Sequence, residues 1–136
     1  MKKILITGGA GFIGSHLVEF YLKKKVKVVV LDNFSTGRIS NLKDFKNNKN
    51  LNIIRTDISK DKNLSKYFKN VQYVFHLAAL ADIVPSIENP ESYFKSNVLG
   101  TFNLMQAIKN SKVKKIIYTA SSSCYGIPSK FPTKED

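Results

Sequence analysis

A glycine-rich turn near the start of the chain limits the possible folds more than any other feature. Gly8, Gly11 and Gly14 stand three residues apart and follow the apolar run of residues 4–6. Glycines at this spacing let the turn tighten and let the backbone approach a phosphate without an intervening Cβ. A helix that starts there offers free N–H groups and the positive end of its dipole to anions. The order of strand, glycine turn and helix therefore predicts a dinucleotide site.

An acidic residue further along the chain supports the same interpretation. Asp32 ends the apolar run of residues 26–31, whose many valines are typical of a parallel strand buried on both faces. An acid about 20 residues beyond such glycines is expected to accept a hydrogen bond from a ribose hydroxyl. The helix between them is expected to carry Ile13, Leu17 and Phe20 on one face.

The rest of the chain continues the alternation of strands and helices. Further strands are predicted at residues 51–56, 72–77 and 114–120, and a short helix at residues 59–69. A longer helix should begin with Asn89 as its cap and Pro90 at its first position. This alternation predicts an α/β fold, a Rossmann-type doubly wound parallel sheet that is truncated after about five strands. The 136 residues would form one dinucleotide-binding domain.

Polar or small residues follow each of the predicted strands. They lie in residues 8–14, at Asp32, at Asp57, in residues 76–79 and in residues 121–126. In an open parallel sheet, ligands bind in the crevice outside the carboxyl ends of the strands. We therefore expect these five segments to meet at one site.

The composition narrows the possible partners. The net charge of +12 is compatible with a nucleic-acid or acidic-surface binder, but also with a solvated surface rich in lysine. We favour the second interpretation because the lysines are spread along the chain and only Arg38 and Arg55 offer guanidinium groups. No apolar run of about 18 residues is present, so no membrane span is predicted. Cys124 is the only cysteine, which excludes an intrachain disulfide and fits a reducing cytoplasm.

Several segments together resemble a known family. TGGAGFIG, LDN followed by FSTG, the Asp57-Ile58 pair, HLAA, NVLGT and SSSCYG occur in the order found in the extended short-chain dehydrogenase/reductases. Within that family the chain is most similar to nucleotide-sugar epimerases of the UDP-glucose 4-epimerase kind, over essentially all 136 residues. The resemblance implies an NAD cofactor and a nucleotide-sugar substrate. An acid at Asp32 would repel the 2′-phosphate of NADP, whereas Arg38 is the one feature that favours NADP.

The resemblance also assigns cofactor contacts. The glycine turn would hold the pyrophosphate, Asp32 the ribose, and Asp57 with Ile58 the adenine. For Asn97 the alternative is a hydrogen bond between helices. The complete cofactor set is Gly8, Gly11, Phe12, Ile13, Gly14, Asp32, Asn33, Ser35, Thr36, Gly37, Asp57, Ile58, Leu77, Ala78, Ala79 and Asn97.

The serine run carries the predicted chemistry. The resemblance makes Ser121 the catalytic residue that bonds the reacting sugar hydroxyl, with Ser122 and Ser123 at substrate-binding positions. Relatives that eliminate water have an Asp-Glu pair where this chain has Ser122 and Ser123, so transient oxidation at C4 followed by epimerisation is favoured. The alternatives are a dehydratase, decarboxylase or reductase of the same family, a non-catalytic dinucleotide sensor, and a polar turn without a role in catalysis.

One expected feature falls outside this sequence. The family's Tyr-x-x-x-Lys base would lie roughly 20 residues after Tyr125, and the pair Tyr21 and Lys25 is incidental. The resemblance therefore predicts an N-terminal piece of a longer enzyme, inactive alone, with its fifth strand an uncovered edge. The full-length enzyme would be a homodimer that uses helices such as residues 94–108. No metal site is predicted, and a structural or cofactor-neighbouring role is expected for His76.

Overall fold

Residues 2–128 and 130–134, which the computed structural model describes, contain one parallel sheet of five strands. The strands are β1 (Lys3–Thr7), β2 (Lys27–Asp32), β3 (Leu51–Arg55), β4 (Tyr73–His76) and β5 (Lys115–Tyr118). Their order across the sheet is β3-β2-β1-β4-β5. The chain thus extends the sheet on one side of β1 with β2 and β3, and then on the other side with β4 and β5. A crevice opens beyond the carboxyl ends of β1 and β4, where the direction changes. The predicted fold class and all five predicted strands are confirmed.

The helices lie on both faces of this sheet. The α-helices are α1 (Phe12–Lys23), α2 (Ile83–Glu88), α3 (Pro90–Tyr93) and α4 (Gly100–Lys109), and a π-helical turn (Phe94–Leu99) joins the last two. Short 3-10 helices occupy Ile39–Phe45, Leu64–Phe68 and Ser122–Tyr125. None of the helices in the described part of the chain is both long and apolar enough to cross a membrane.

The core has two halves, one on each face of the sheet. Successive residues of a strand point to opposite faces, so Leu5 enters one half while Ile4 and Ile6 enter the other. The first half packs against α4 through Leu104, and the second packs against α1 through Val18. Both halves hold the strands so that their carboxyl ends form one edge.

The helix predicted for residues 59–69 is wrong in extent, because only Leu64–Phe68 is helical, and as a 3-10 turn. Side chains that precede it compete for the backbone. Asp57 Oδ1 accepts from Ser59 N at 3.0 Å, and Asp61 Oδ1 accepts from Asn63 N at 2.8 Å. Local bonds of this kind replace the ladder of a regular helix.

The predicted face of the first helix is not the buried one. Ile13 and Phe20 are 57% and 50% exposed, whereas Gly14, Val18 and Leu22 are buried. Gly14 decides this rotation, because it packs directly on the backbone of the glycine turn. A pattern of apolar residues cannot reveal a helix that docks through a glycine.

The start of α3 matches the sequence prediction. Asn89 Oδ1 accepts from Ser92 N at 3.2 Å, and Pro90 is the first residue of the helix. Further along, the apolar side chains of Phe94, Val98 and Phe102 face outward and are more than half exposed.

Candidate functional site

The glycine turn forms the floor of a cavity at the carboxyl edge of the sheet. Gly8 has φ +68°, and its N–H donates to Leu31 O at 2.8 Å. A Cβ on Gly8 would lie 2.8 Å from Ala78 N, so the turn packs tightly on the loop after β4. Only glycine allows both this backbone conformation and this approach. The turn lines the cavity through Gly8 and Gly11, next to the start of α1.

Asp32 links this turn to the loop that follows β2. The side chain is 7% exposed; its Oδ2 accepts from Ala10 N at 2.9 Å and its Oδ1 from Phe34 N at 2.8 Å. Each carboxylate oxygen has a second lone pair for another donor. Asp32 therefore fixes two segments of the backbone and still lies on the cavity wall.

The cavity brings most of the predicted cofactor residues together. Phe12, Ile13, Gly14 and Asn97 do not line it, although the start of α1 lies beside it. Sequence reasoning missed three lining residues, Leu31, Thr56 and Ser96, whose only signal is that each adjoins a predicted contact in sequence. The lining consists of Gly8, Gly11, Leu31, Asp32, Asn33, Ser35, Thr36, Gly37, Thr56, Asp57, Ile58, Leu77, Ala78, Ala79 and Ser96.

Asp57 and Ile58 form the wall after β3. Burial alone would raise the pKa of Asp57, but hydrogen bonds from Ser59 and Asn33 and the charge of Lys60 outweigh it and hold that pKa below its usual value. The carboxylate is therefore ionised at neutral pH and can only accept hydrogen bonds. Ile58 is buried, and Asn103 Nδ2 on α4 donates to the carbonyls of Ile58 and Ser59, at 3.1 Å each.

His76, at the end of β4, is held between two threonine hydroxyls. Thr101 Oγ1 donates to Asn97 O at 2.6 Å, so it must accept from His76 Nε2–H, which lies 2.8 Å away. His76 Nδ1 then accepts from Thr7 Oγ1 at 2.6 Å. Burial lowers the pKa of His76 to about 4, so the ring is neutral at physiological pH. The predicted structural role fits these contacts.

The same region fixes the loop after β4. Thr7 Oγ1 accepts from the N–H groups of Leu77 and Ala78, at 3.2 Å each. Asn97 Nδ2 donates to Leu80 O, and Asn97 Oδ1 accepts from Leu80 N, both at 2.8 Å. The amide of Asn97 thus bonds to the loop after β4, whereas the alternative to a cofactor contact was a hydrogen bond between helices. The predicted cofactor contact of Asn97 stays a prediction.

A second cavity adjoins the first, and the two share Leu77, Ala78 and Ala79 as a common wall. Ser121 also lines this second cavity. Ser121 Oγ accepts from Ser123 N at 3.2 Å, which leaves its O–H free to donate. Ser122 and Ser123 begin the 3-10 helix next to it and, in the described part of the chain, do not line this cavity.

Comparisons with known proteins place this geometry in a family. The profile of the family described as GDP-mannose 4,6 dehydratase matches residues 5–136. The Pisum sativum bifunctional UDP-glucose 4-epimerase and UDP-xylose 4-epimerase 1 is 35% identical over 99% of this chain and 41% of its own length.

Two solved structures extend the comparison. The UDP-N-acetylglucosamine 4-epimerase of Methanobrevibacter ruminantium M1, in complex with UDP-N-acetylmuramic acid, is 42% identical, with a TM-score of 0.89 over 98% of this chain and 42% of that one. A UDP-glucuronic acid 4-epimerase mutant from Bacillus cereus, solved with NAD, is 35% identical, with a TM-score of 0.88 over 98% of this chain and 44% of that one. This chain spans about two fifths of the length of these relatives. The chain therefore belongs to the GDP-mannose 4,6 dehydratase family of extended short-chain dehydrogenase/reductases, and within it resembles the UDP-glucose 4-epimerases.

Proposed function

We propose that the full-length protein is an NAD-dependent nucleotide-sugar 4-epimerase. The observation that carries the proposal is the common wall of the two cavities, Leu77, Ala78 and Ala79. On one side of this wall lie the glycine turn and Asp32, and on the other lies Ser121. A dinucleotide with its adenosine in the first cavity would point its other end toward a sugar held near Ser121.

The lining of the first cavity supports NAD rather than NADP. It contains the carboxylates of Asp32 and Asp57 and, among the described residues, no lysine or arginine. A 2′-phosphate would add negative charge next to an acid without a compensating cation, whereas a ribose hydroxyl can donate to Asp32. Arg38 lies in the same loop but outside the lining.

The residues of this chain would hold and orient the reactants. The free N–H groups at the start of α1 and the backbone of Gly11 would face the pyrophosphate. NAD, when bound, supplies a reversible hydride acceptor for oxidation of the sugar at C4. Ser121 would donate its O–H to the oxygen at C4 and orient it. The proton acceptor expected from the resemblance is the Tyr-Lys pair beyond residue 136, so the proposal concerns the full-length protein.

The test is a product analysis with the purified full-length protein. The protein is incubated with UDP-glucose and, separately, with UDP-N-acetylglucosamine, and the products are identified by proton NMR. Each incubation should give the corresponding C4 epimer, and no stoichiometric NADH should form. Net formation of NADH would contradict an epimerase. Consumption of added NADH, loss of CO₂ in a parallel incubation with UDP-glucuronic acid, or loss of water would identify the reductase, decarboxylase or dehydratase alternative, respectively. Binding of NAD without conversion of any nucleotide sugar would instead favour the sensor.

A dehydratase is the second candidate, because the matching family profile carries that description. Ser122 and Ser123 count against it. Elimination of water needs a general acid and a general base, and these two positions offer exposed hydroxyls instead of carboxylates. The product analysis separates the two candidates directly.

We also propose that the full-length protein is a homodimer. The outward side chains of Phe94, Val98 and Phe102 form an apolar stripe along the π-helical turn and α4, and Met105 continues it. Exposed apolar stripes of this kind are typical of protein interfaces. Phe102→Glu should shift the mass measured by light scattering from dimer to monomer, whereas Lys109→Glu, at the end of α4, should leave it unchanged.

A further inference from the structure

The peptide groups of Ala10 connect the glycine turn to two other segments. Ala10 is fully buried, and its N–H donates to Asp32 Oδ2 at 2.9 Å. Its carbonyl oxygen accepts two hydrogen bonds, from Arg38 N at 3.1 Å and from Asn41 Nδ2 at 2.8 Å. Ala10 is thus bonded to Asp32 at the end of β2 and, through two donors, to residues 38–41, which follow the loop of residues 33–37.

The loop between these attachments lines the first cavity through Asn33, Ser35, Thr36 and Gly37. It is also packed against the same residue of the turn. A Cβ on Gly37 would lie 3.1 Å from the Cβ of Ala10 and 3.1 Å from an oxygen of Asp32. The loop therefore has little room to move while the bonds to the Ala10 carbonyl persist.

Asn41 is the side-chain component of this attachment. It lies near the start of the 3-10 helix Ile39–Phe45 and, in the described part of the chain, outside the lining of the cavity. Its backbone N–H donates to Arg38 O at 3.0 Å, so the side chain and the backbone of Asn41 bond to the turn and to the loop, respectively. Asn41 therefore fixes the distance between the glycine turn and residues 33–37.

We propose that Asn41 is a positioning residue that makes the adenosine site selective for a 2′-hydroxyl over a 2′-phosphate. The inference rests on the proposed NAD-dependent function. With the Asn41 bond in place, the loop holds Asp32 close to the ribose position and keeps the backbone of Arg38 bound to Ala10. Without it, the loop can move outward, which makes room for a phosphate and lets the Arg38 guanidinium approach it.

The test compares the binding of NAD and NADP to variants of the full-length protein by isothermal titration calorimetry. Asn41→Ala should raise the dissociation constant for NAD about fivefold, the usual effect of losing one net hydrogen bond. The dissociation constant for NADP should stay constant or fall, so the preference for NAD decreases. Asn41→Asp should have a larger effect, because it keeps the size of the side chain and places an acceptor against the Ala10 carbonyl.

Asn48→Ala is the matched control. Asn48 lies in the same connection between β2 and β3, and its Oδ1 accepts from Asn50 N at 2.9 Å. This variant also loses one bond between side chain and backbone, and both dissociation constants should remain those of the wild type.

Three results would overturn the inference. If Asn41→Ala leaves the affinity for NAD unchanged, or weakens NAD and NADP equally, Asn41 does not set the preference. If wild-type protein binds neither dinucleotide, the proposed function fails first and this inference fails with it. The wild-type titration therefore judges the proposed function, and the ratio measured for the variants judges the role of Asn41.

Discussion

The two sides of the crevice are built differently. On the side of β1, β2 and β3, Asp32 is 7% exposed and every loop is bonded to another segment of backbone. On the side of β5, Tyr118 is 59% exposed, and the serines at 121–123 lie on the surface. The first side is enclosed by contacts within this chain, whereas the serines proposed to act on the substrate lie on an open surface.

This difference separates two kinds of effect. Substitutions on the enclosed side should change stability and cofactor binding together, because the same hydrogen bonds hold the fold and shape the cavity. Substitutions on the open side should change catalysis with little loss of stability, because few internal contacts depend on them.

The largest effect should come from the open side. Ser121→Ala should lower kcat of the full-length enzyme by about 100- to 1000-fold, in the range expected for the loss of a group that assists proton transfer. The melting temperature should change little, because Ser121 is exposed and its side chain, in the described structure, bonds only to Ser123 N.

Ser111→Ala is the control for this variant. Ser111 Oγ accepts from Val113 N at 3.2 Å, a local bond of the same kind away from both cavities. Its kcat should equal that of the wild type. A Ser121→Ala enzyme with full kcat would remove Ser121 from the mechanism.

The next effect concerns His76 at the end of β4 and depends on pH. Burial lowers its pKa from the ordinary 6.5 to about 4, so the folded protein keeps the ring neutral where the unfolded chain takes up a proton. The contribution of neutral His76 to the free energy of unfolding is therefore fully present above pH 6.5. The free energy of unfolding should fall by about 3 kcal/mol as the pH decreases toward 4. Urea denaturation across this range measures the loss.

In His76→Gln the free energy of unfolding should no longer decrease between pH 6.5 and pH 4. His16→Gln, which changes an exposed histidine on α1, should keep the slope of the wild type. A His16→Gln protein without the slope would show that His76 is not its source.

A smaller effect is expected at the contact between α1 and the turn. Gly14→Ala should lower the free energy of unfolding by about 2 kcal/mol, because its Cβ would collide with the Gly8 carbonyl oxygen. In Gly11→Ala the new Cβ would lie 3.3 Å from the same oxygen, a contact that a small shift relieves. Urea denaturation of both variants compares them, and equal losses would argue against this docking of α1.

The smallest effect should follow from Asn103→Ala. The variant loses two hydrogen bonds to the segment after β3, one to Ile58 O and one to Ser59 O. We expect a loss of about 1 kcal/mol in the free energy of unfolding and a weaker affinity for NAD. Asn110→Ala, at the end of α4, is the control and should match the wild type in both measurements. Unchanged NAD binding in Asn103→Ala would mean that α4 does not support the adenine side.

The enclosed side was also the more predictable one. Its strands are continuous apolar runs, and its glycines and Asp32 act at fixed spacings, so local sequence carries the signal. Asn41 could not be predicted in this way. It bonds to Ala10, 31 residues earlier, and nothing in its own neighbourhood distinguishes it from the other asparagines of the same connection.

The rotation of α1 and the length of the helix after β3 were missed for related reasons. In α1 the decisive contact belongs to Gly14, which has no side chain to contribute to an apolar pattern. After β3, Asp57 and Asp61 accept hydrogen bonds from nearby N–H groups. These bonds prevail over the regular helix that the spacing of Leu64 and Phe68 favours. In both places a backbone contact decides the structure.

The π-helical turn Phe94–Leu99 makes the number of residues in this segment matter more than their identity. Such a turn accommodates one residue more than an α-helix of the same rise. Deleting one residue of this turn would therefore leave an α-helical turn of the same rise, whereas inserting one more residue after Asn97 would turn everything after it by about 100° around the helix axis. Thr101 would then leave His76, and Asn103 would leave Ile58, while Asn97 stayed in place. A one-residue insertion in this stretch should therefore be far more damaging than a one-residue deletion or a point substitution.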